Sequence, residues 1–278
     1  MQTKEIKYSL RIGRINFILT FFIILLHSRI PYINSTTICN VPQWYSVIEK
    51  ILVNVYQSAV PTFFAISAYL LFRNYTFKDY FKKISSRIHS LVIPYLIFSS
   101  TFLVLKNALY FLKHGYFRST ANSLLMDIYS TKFDLPIWYC RALFYFVVLS
   151  PILLFILKHF KKRYVFIIFL FALIIPAYLS IPYDTFFYWL PPIICFSYLG
   201  YNHPNLLFRI WYIKKRYSII ALILYILLCF LMIDVNERSY PYWLFRMVSP
   251  LFIFIIFELL QFEDSRLFKY SFFYIYGS

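Results

Sequence analysis

His27 lies late in the apolar run RINFILTFFIILLHSRIPYI, and an imidazole in that setting is costly enough to be read first as functional. Low-dielectric surroundings favour its neutral form, which can take a proton from a hydroxyl and hand it on later. The plainer alternative is a histidine hydrogen-bonded between helices. Arg141 is a second such group, near one end of the run 136–157. Its guanidinium could stabilise an oxyanion, grip a phosphate or sugar oxygen, or simply reach back to the membrane surface. Lys82, Lys83 and Arg87 form a basic stretch able to hold phosphates, although short basic connections also serve as anchors. Pro61 and Pro94 fall inside apolar runs, where each removes a backbone hydrogen bond. Broken helices commonly line cavities in membrane bundles, so Ser67, Tyr69 and Tyr95 are candidate wall residues.

The elements that carry these groups are built for lipid. Apolar residues make up 61% of the chain and charged residues 14%. Soluble domains run nearer half and a quarter. The 33 Phe and 27 Tyr suit lipid-facing surfaces and interfacial belts. Crossing the bilayer takes roughly 17–25 residues. Eight runs qualify, at about 15–34, 51–72, 88–112, 136–157, 164–182, 185–201, 217–233 and 242–262. They predict an all-α polytopic bundle, read as one domain over 1–278. The fifth and sixth runs would form a hairpin through Ile181-Pro182-Tyr183-Asp184.

Lys and Arg gather in the N-terminal tail (Lys4, Lys7, Arg11, Arg14) and after the second, fourth, sixth and eighth runs. The opposite connections are poorer, with Arg29, Lys50, Lys106, Lys113, Arg118, Lys132 and Arg238. Basic connections stay inside, so the N-terminus is expected in the cytoplasm and the chain in the cell's inner (plasma) membrane. The long connection at about 113–135 is a candidate lid or substrate platform. A net charge of +17 does not argue for nucleic acid, because the cations follow the alternation of spans and not one face.

Other signals are weaker. Cys39, Cys140, Cys195 and Cys229 have no metal-ligand spacing, and only Cys39 falls in a connection. Four glycines leave no room for a phosphate-cradling loop. The first run lacks the cleavage pattern of a leader peptide. His89, His114, His159 and His203 flank the runs and read as interfacial. Asn34-Ser35-Thr36 matches a glycosylation acceptor. Arg246 and Glu258 share a face of the last run but stand too far apart to touch, so each is expected to pair with another span.

Four blocks stand in a fixed order: the first run ending IILLHS, VPTFFAISAYLLF at 60–72, KKISSRIHSLVIPYLIFS at 82–99, and LPIWYCRALFYFVVLSPIL at 135–153. FSYLGY at 196–201 and SFFYIYGS at 271–278 follow. The ordered set resembles the integral-membrane acyltransferase 3 family. The resemblance implies about ten spans and transfer of an acyl group, often acetyl from acetyl-CoA, to a hydroxyl or amine of a carbohydrate. It implies catalysis by His27, aided by Arg141, with Trp138 and the Asn16 position in the substrate set. Lys82, Lys83 and Arg87 would hold the acyl-CoA donor, a substrate and not a tightly bound cofactor. Implied partners are membrane lipid, the carbohydrate acceptor and the donor. A polar hollow should adjoin His27.

Two departures stand out. The family places an arginine eleven residues before the histidine, about 16 Å away on the same helix face; here that position is Asn16. Arg14 is rotated from it by about 200°, so a kink, a different helix start, or loss of the role would be needed. SFFYIYGS resembles the start of a ninth span, after which one or two family spans are expected to be missing. A glycan transporter or flippase, or an inactive shortened relative, are the alternative readings.

Overall fold

The computed structural model describes residues 2–28, 43–116, 138–178, 186–210, 213–237 and 239–259. Among them there is no strand. The helices are α1 (Gln2–His27), α2 (Gln43–Gln57), α3 (Ala59–Phe72), α4 (Tyr80–Arg87), α5 (Ile93–His114), α6 (Trp138–His159), α7 (Lys162–Tyr178), α8 (Leu190–Asn202), α9 (Leu206–Ile210), α10 (Lys215–Leu231) and α11 (Tyr240–Ile256). Several expectations fall outside the described residues. They are Arg29, Cys39, Arg118, Lys132, Arg238, the Asn34-Ser35-Thr36 pattern, the 181–184 turn, the Glu258 side chain and the 271–278 segment.

Among the described residues, four helical stretches are long and apolar enough to cross a bilayer: Ser9–His27, Trp44–Phe72, Phe77–His114 and Trp138–His159. They correspond to the first four expected runs. The remaining helices α7, α8, α10 and α11 contain 13 to 17 residues. At 1.5 Å per residue a 17-residue helix reaches about 25 Å, the lower limit for about 30 Å of hydrocarbon. The described residues are therefore helical, with several helices long and apolar enough to cross a membrane, and the count of eight is not confirmed by them. α1 ends at His27, and the remainder of the first run, 29–34, lies outside the described residues.

The chain divides into two compact units, Met1–Arg73 with Cys195–Ser278, and Asn74–Ile194. In the first unit, α1 packs on α2 and α3, α10 packs on α2, and α11 packs on α3 and α10. Ile12, Ile15 and Leu19 form the buried stripe of α1, while Phe17, Phe21 and Ile24 are exposed. The second expected span is broken. α2 stops at Gln57, the Ser58 N–H bonds the Val55 carbonyl at 3.2 Å, and the Thr62 hydroxyl returns to the Ser58 carbonyl at 2.7 Å. Pro61 thus stands in the first turn of α3, where its missing N–H costs least. Further along, Gly200 of α8 meets α3 so closely that a Cβ there would lie 2.5 Å from the Tyr69 carbonyl oxygen.

In the second unit the basic stretch is helical, not a loop. Thr76 and Asp79 close a capping box ahead of α4, with the Thr76 hydroxyl 2.6 Å from the Asp79 carboxylate. A single turn of π-helix, Ile88–Val92, then leads into α5, with the Ile93 N–H reaching back to the Ile88 carbonyl. That widening accommodates Pro94, which can donate nothing and whose ring crowds the carbonyl four residues back. α6 packs along α4 and the π turn.

Two Ser-Pro pairs share one solution. Pro151 deprives the Val147 carbonyl of its helical donor, and the Ser150 hydroxyl supplies it instead at 2.7 Å. Pro250 does the same to the Arg246 carbonyl, which accepts from the Ser249 hydroxyl at 2.8 Å. Ser150 in turn accepts from the Tyr75 hydroxyl at 2.8 Å. Burial pushes the Tyr75 hydroxyl above its ordinary value, so it remains a donor.

Candidate functional site

Four of the expected site residues, Asn16, His27, Ser67 and Tyr69, lie in the first unit. His27 is the last residue of α1 and is exposed; the next residue, Ser28, closes the helix with its N–H on the Ile24 carbonyl at 2.8 Å. The imidazole therefore ends the helix and is not enclosed partway along it. Residues 29–42, which would flank it, lie outside the described part. Asn16 is half-buried eleven residues earlier, its backbone carbonyl accepting from Thr20 at 2.8 Å and its Oδ1 buried without a hydrogen-bond donor among the described residues. α1 is unbroken from Gln2 to His27, so no kink brings Arg14 round to the Asn16 face. Ser67 is half-buried on α3.

Tyr69 is fully buried, and its hydroxyl is committed to the backbone. It donates to the His203 carbonyl at 2.9 Å and accepts from the Leu207 N–H at 3.3 Å. Beside it, Arg73 Nε donates to the Pro204 carbonyl at 3.1 Å. These contacts dock the end of α3 on the corner between α8 and α9. As a cavity-wall residue Tyr69 has no hydroxyl to offer, because two backbone groups already hold it.

The remaining expected residues belong to the second unit. Trp138 and Arg141 share the first turn of α6. The Trp138 ring stacks on Trp189 with centroids 6.2 Å apart and planes 19° from parallel, and Trp189 also meets Tyr188 edge-on at 4.9 Å. Arg141 is half-buried and engaged by neighbouring groups. Tyr95 is buried on a stripe of α5 with Ser99, Leu103 and Asn107, spaced four apart as one helix face requires. On α4, Lys82 is exposed, and Lys83 and Arg87 are half-buried. Cys140 here, and Cys195 and Cys229 in the first unit, are free thiols.

A polar network that sequence reasoning missed is the most elaborate one among the described residues of the first unit. It gathers at the break between α2 and α3. Asn54, only 3% exposed, donates from Nδ2 to the Cys229 carbonyl at 2.8 Å, capping an orphan carbonyl in the last turn of α10. The Tyr242 hydroxyl donates to Asn54 Oδ1 at 2.6 Å and lies 2.9 Å from Gln57 Oε1. Gln57 Oε1 accepts from both Nε, at 3.0 Å, and Nη2 of Arg246. The guanidinium carbon stands 4.8 Å from the Tyr242 ring centroid, a cation–π contact. Glu237 approaches Arg246 at 3.5 Å, and Lys50 pairs with Asp234 at 3.0 Å. As expected, Arg246 pairs with another element. The signal that could have found the network is the pair of amides, Asn54 and Gln57, in the apolar stretch ILVNVYQS.

Comparison with known proteins places this geometry in context. The family model described as acyltransferase domain matches residues 13–275. The succinoglycan biosynthesis protein ExoH of Rhizobium meliloti is 28% identical over 165 residues, which cover 52% of this chain and 43% of that protein. The chain thus spans less than half the length of this relative. No solved structure matches it.

Proposed function

The chain belongs to the acyltransferase domain family, and on that premise we propose that it is a membrane enzyme carrying an acyl group, acetyl in the simplest case, from acyl-CoA to a hydroxyl of a surface polysaccharide or its lipid-linked precursor. The polysaccharide is suggested by the relative's description as a succinoglycan biosynthesis protein. The His27 imidazole takes the acceptor hydroxyl's proton as the hydroxyl oxygen attacks the thioester carbonyl carbon. The tetrahedral intermediate carries an oxyanion, which Arg141 steadies. The carbon–sulfur bond then breaks, and the departing thiolate takes the proton from the imidazolium.

Lys82, Lys83 and Arg87 hold the donor's phosphates. Trp138, stacked on Trp189, offers an aromatic face against a sugar ring, while Ser67, Tyr95 and the Asn16 position complete the substrate set. The N-terminus lies in the cytoplasm of a cell bounded by this inner membrane, on the basic side of the chain.

The observation that carries the reading is the family match over 13–275, which includes a histidine exposed at the end of an apolar helix. The full chain, reconstituted in lipid vesicles with acyl-labelled CoA and a polysaccharide acceptor, tests it. Wild type should label the acceptor, and His27→Ala should lower labelling at least a hundredfold while inserting normally. An alanine variant as active as wild type refutes the assignment. Movement of glycan across the vesicle without labelling favours the transporter instead.

A further inference from the structure

We propose that the Lys-Lys-Arg-Tyr corners at 161–164 and 214–217 are seats for anionic phospholipid, each holding a headgroup phosphate at the end of an acyl chain laid along the helix that follows. The same four residues occur twice in the chain. Each copy leads into an apolar helix, α7 in one unit and α10 in the other. In both, the tyrosine N–H bonds the carbonyl of the first lysine, at 2.9 Å for Tyr164 and 2.8 Å for Tyr217. In both, the arginine Nη2 donates to the tyrosine hydroxyl, at 3.0 Å from Arg163 and 2.9 Å from Arg216. The guanidinium carbon lies 4.8 Å from the ring centroid in each case. Each arginine is thus folded back on its own tyrosine, and most of its N–H donors remain to be spent. Every residue of both corners is exposed, and neither helix has an acid in its first turn. Among the described residues no carboxylate pairs with these lysines and arginines.

The helix surfaces continue the match. Phe166, Ile167, Leu170, Phe171 and Ile174 of α7 are exposed, and so, at the same distances from the tyrosine, are Ile219, Ile220, Ile223, Leu224 and Leu227 of α10. These spacings keep to one side of a helix. The residue directly after each tyrosine, Val165 or Ser218, falls on the other side and is buried. Arg163 leads the row Phe166, Leu170 and Ile174, and Arg216 leads the row Ile219, Ile223 and Leu227, so each arginine heads its own apolar stripe. A phospholipid has that order of groups: fatty chains for the stripe, then one negative phosphate for the guanidinium, with lysines beside it. Basic connections also act as a topology signal, which asks for charge alone. Topology does not require one arginine–tyrosine geometry and one stripe register in both places. The proposal needs a membrane chain and does not rest on the acyl-transfer reading.

The full chain in neutral detergent is titrated in turn with phosphatidylglycerol, phosphatidylcholine and inorganic phosphate, and the rise in melting temperature is read. Phosphatidylglycerol should bind about tenfold more tightly than phosphatidylcholine, which carries no net charge. Arg163→Gln combined with Arg216→Gln should remove that preference. Lys78→Gln combined with Lys113→Gln removes the same charge from other exposed positions and should leave it in place. All four positions are exposed, so these variants keep the fold. Equal affinity for the two lipids, or a double arginine variant that binds as wild type does, overturns the proposal. An equal loss in the lysine pair also overturns it, because net charge alone would then explain the preference. A response to inorganic phosphate as large as that to phosphatidylglycerol would assign the corners to a free anion and overturn the lipid. Acyl labelling plays no part in this readout, so the enzyme reading and the lipid seats fail independently.

Discussion

At the scale of single residues, Tyr69 and His27 stand in contrasting settings. His27 was singled out as an ionisable group in an apolar run, and Tyr69 as a wall residue of a run interrupted by proline. Tyr69 is consumed by the His203 carbonyl and the Leu207 N–H, whereas His27 stands exposed at a helix end. Tyr69→Phe should cost about 1–3 kcal/mol, since two backbone groups lose a partner. A melting-temperature comparison checks this, and a variant as stable as wild type would refute the docking role. Polar residues in a span are legible in sequence because each one is expensive there. Their partners are not: Gln57 and Arg246 meet across 189 positions, and no local pattern encodes such a meeting. Arg246 was visible as a charge in an apolar run and was expected to pair with another span, but nothing local named Gln57 as the residue it meets.

At the scale of elements, the prolines were visible and their consequences only partly so. Pro61 and Pro94 announce interruptions, and they meet two fates: Pro61 stands in the first turn of α3 after the break at Ser58, whereas Pro94 follows a π turn inside a continuous helical stretch. The Ser-Pro pairs show why a proline can also remain mid-helix, as Pro151 and Pro250 do. Ser150→Ala should destabilise by about 1–3 kcal/mol, leaving the Val147 carbonyl without a donor and the Tyr75 hydroxyl without its acceptor. Replacing Pro151 with alanine in the same chain should recover part of that loss, because the backbone N–H returns. Denaturation of the single and double variants measures the coupling, and strictly additive effects would contradict it. The Thr76–Asp79 box makes a parallel claim for α4: Thr76→Ala should cost about 1 kcal/mol and raise amide exchange in its first turn.

At the scale of the molecule, hydropathy identified the class of fold and the first four crossings, where runs are long. It lost resolution where helices shorten to 13–17 residues, because such a length is shared by buried helices and thin crossings alike. The proposed orientation follows from charge and is open to direct measurement. A cysteine replacing the exposed Lys82 should react with an impermeant maleimide only in inverted vesicles, and one replacing the exposed Trp44 only in intact cells. The reverse pattern would invert the topology and move the proposed donor site to the other face.

The near-contact of Gly200 with the Tyr69 carbonyl has a consequence for how such a protein can change over time. Two main chains touch there with no side chain between them, so even one added methyl must prise the pair apart. Descendants of this chain that change their specificity will have to retune residues elsewhere, because this seam between α3 and α8 admits no variation. A library randomised at position 200 should return glycine alone among its folded members.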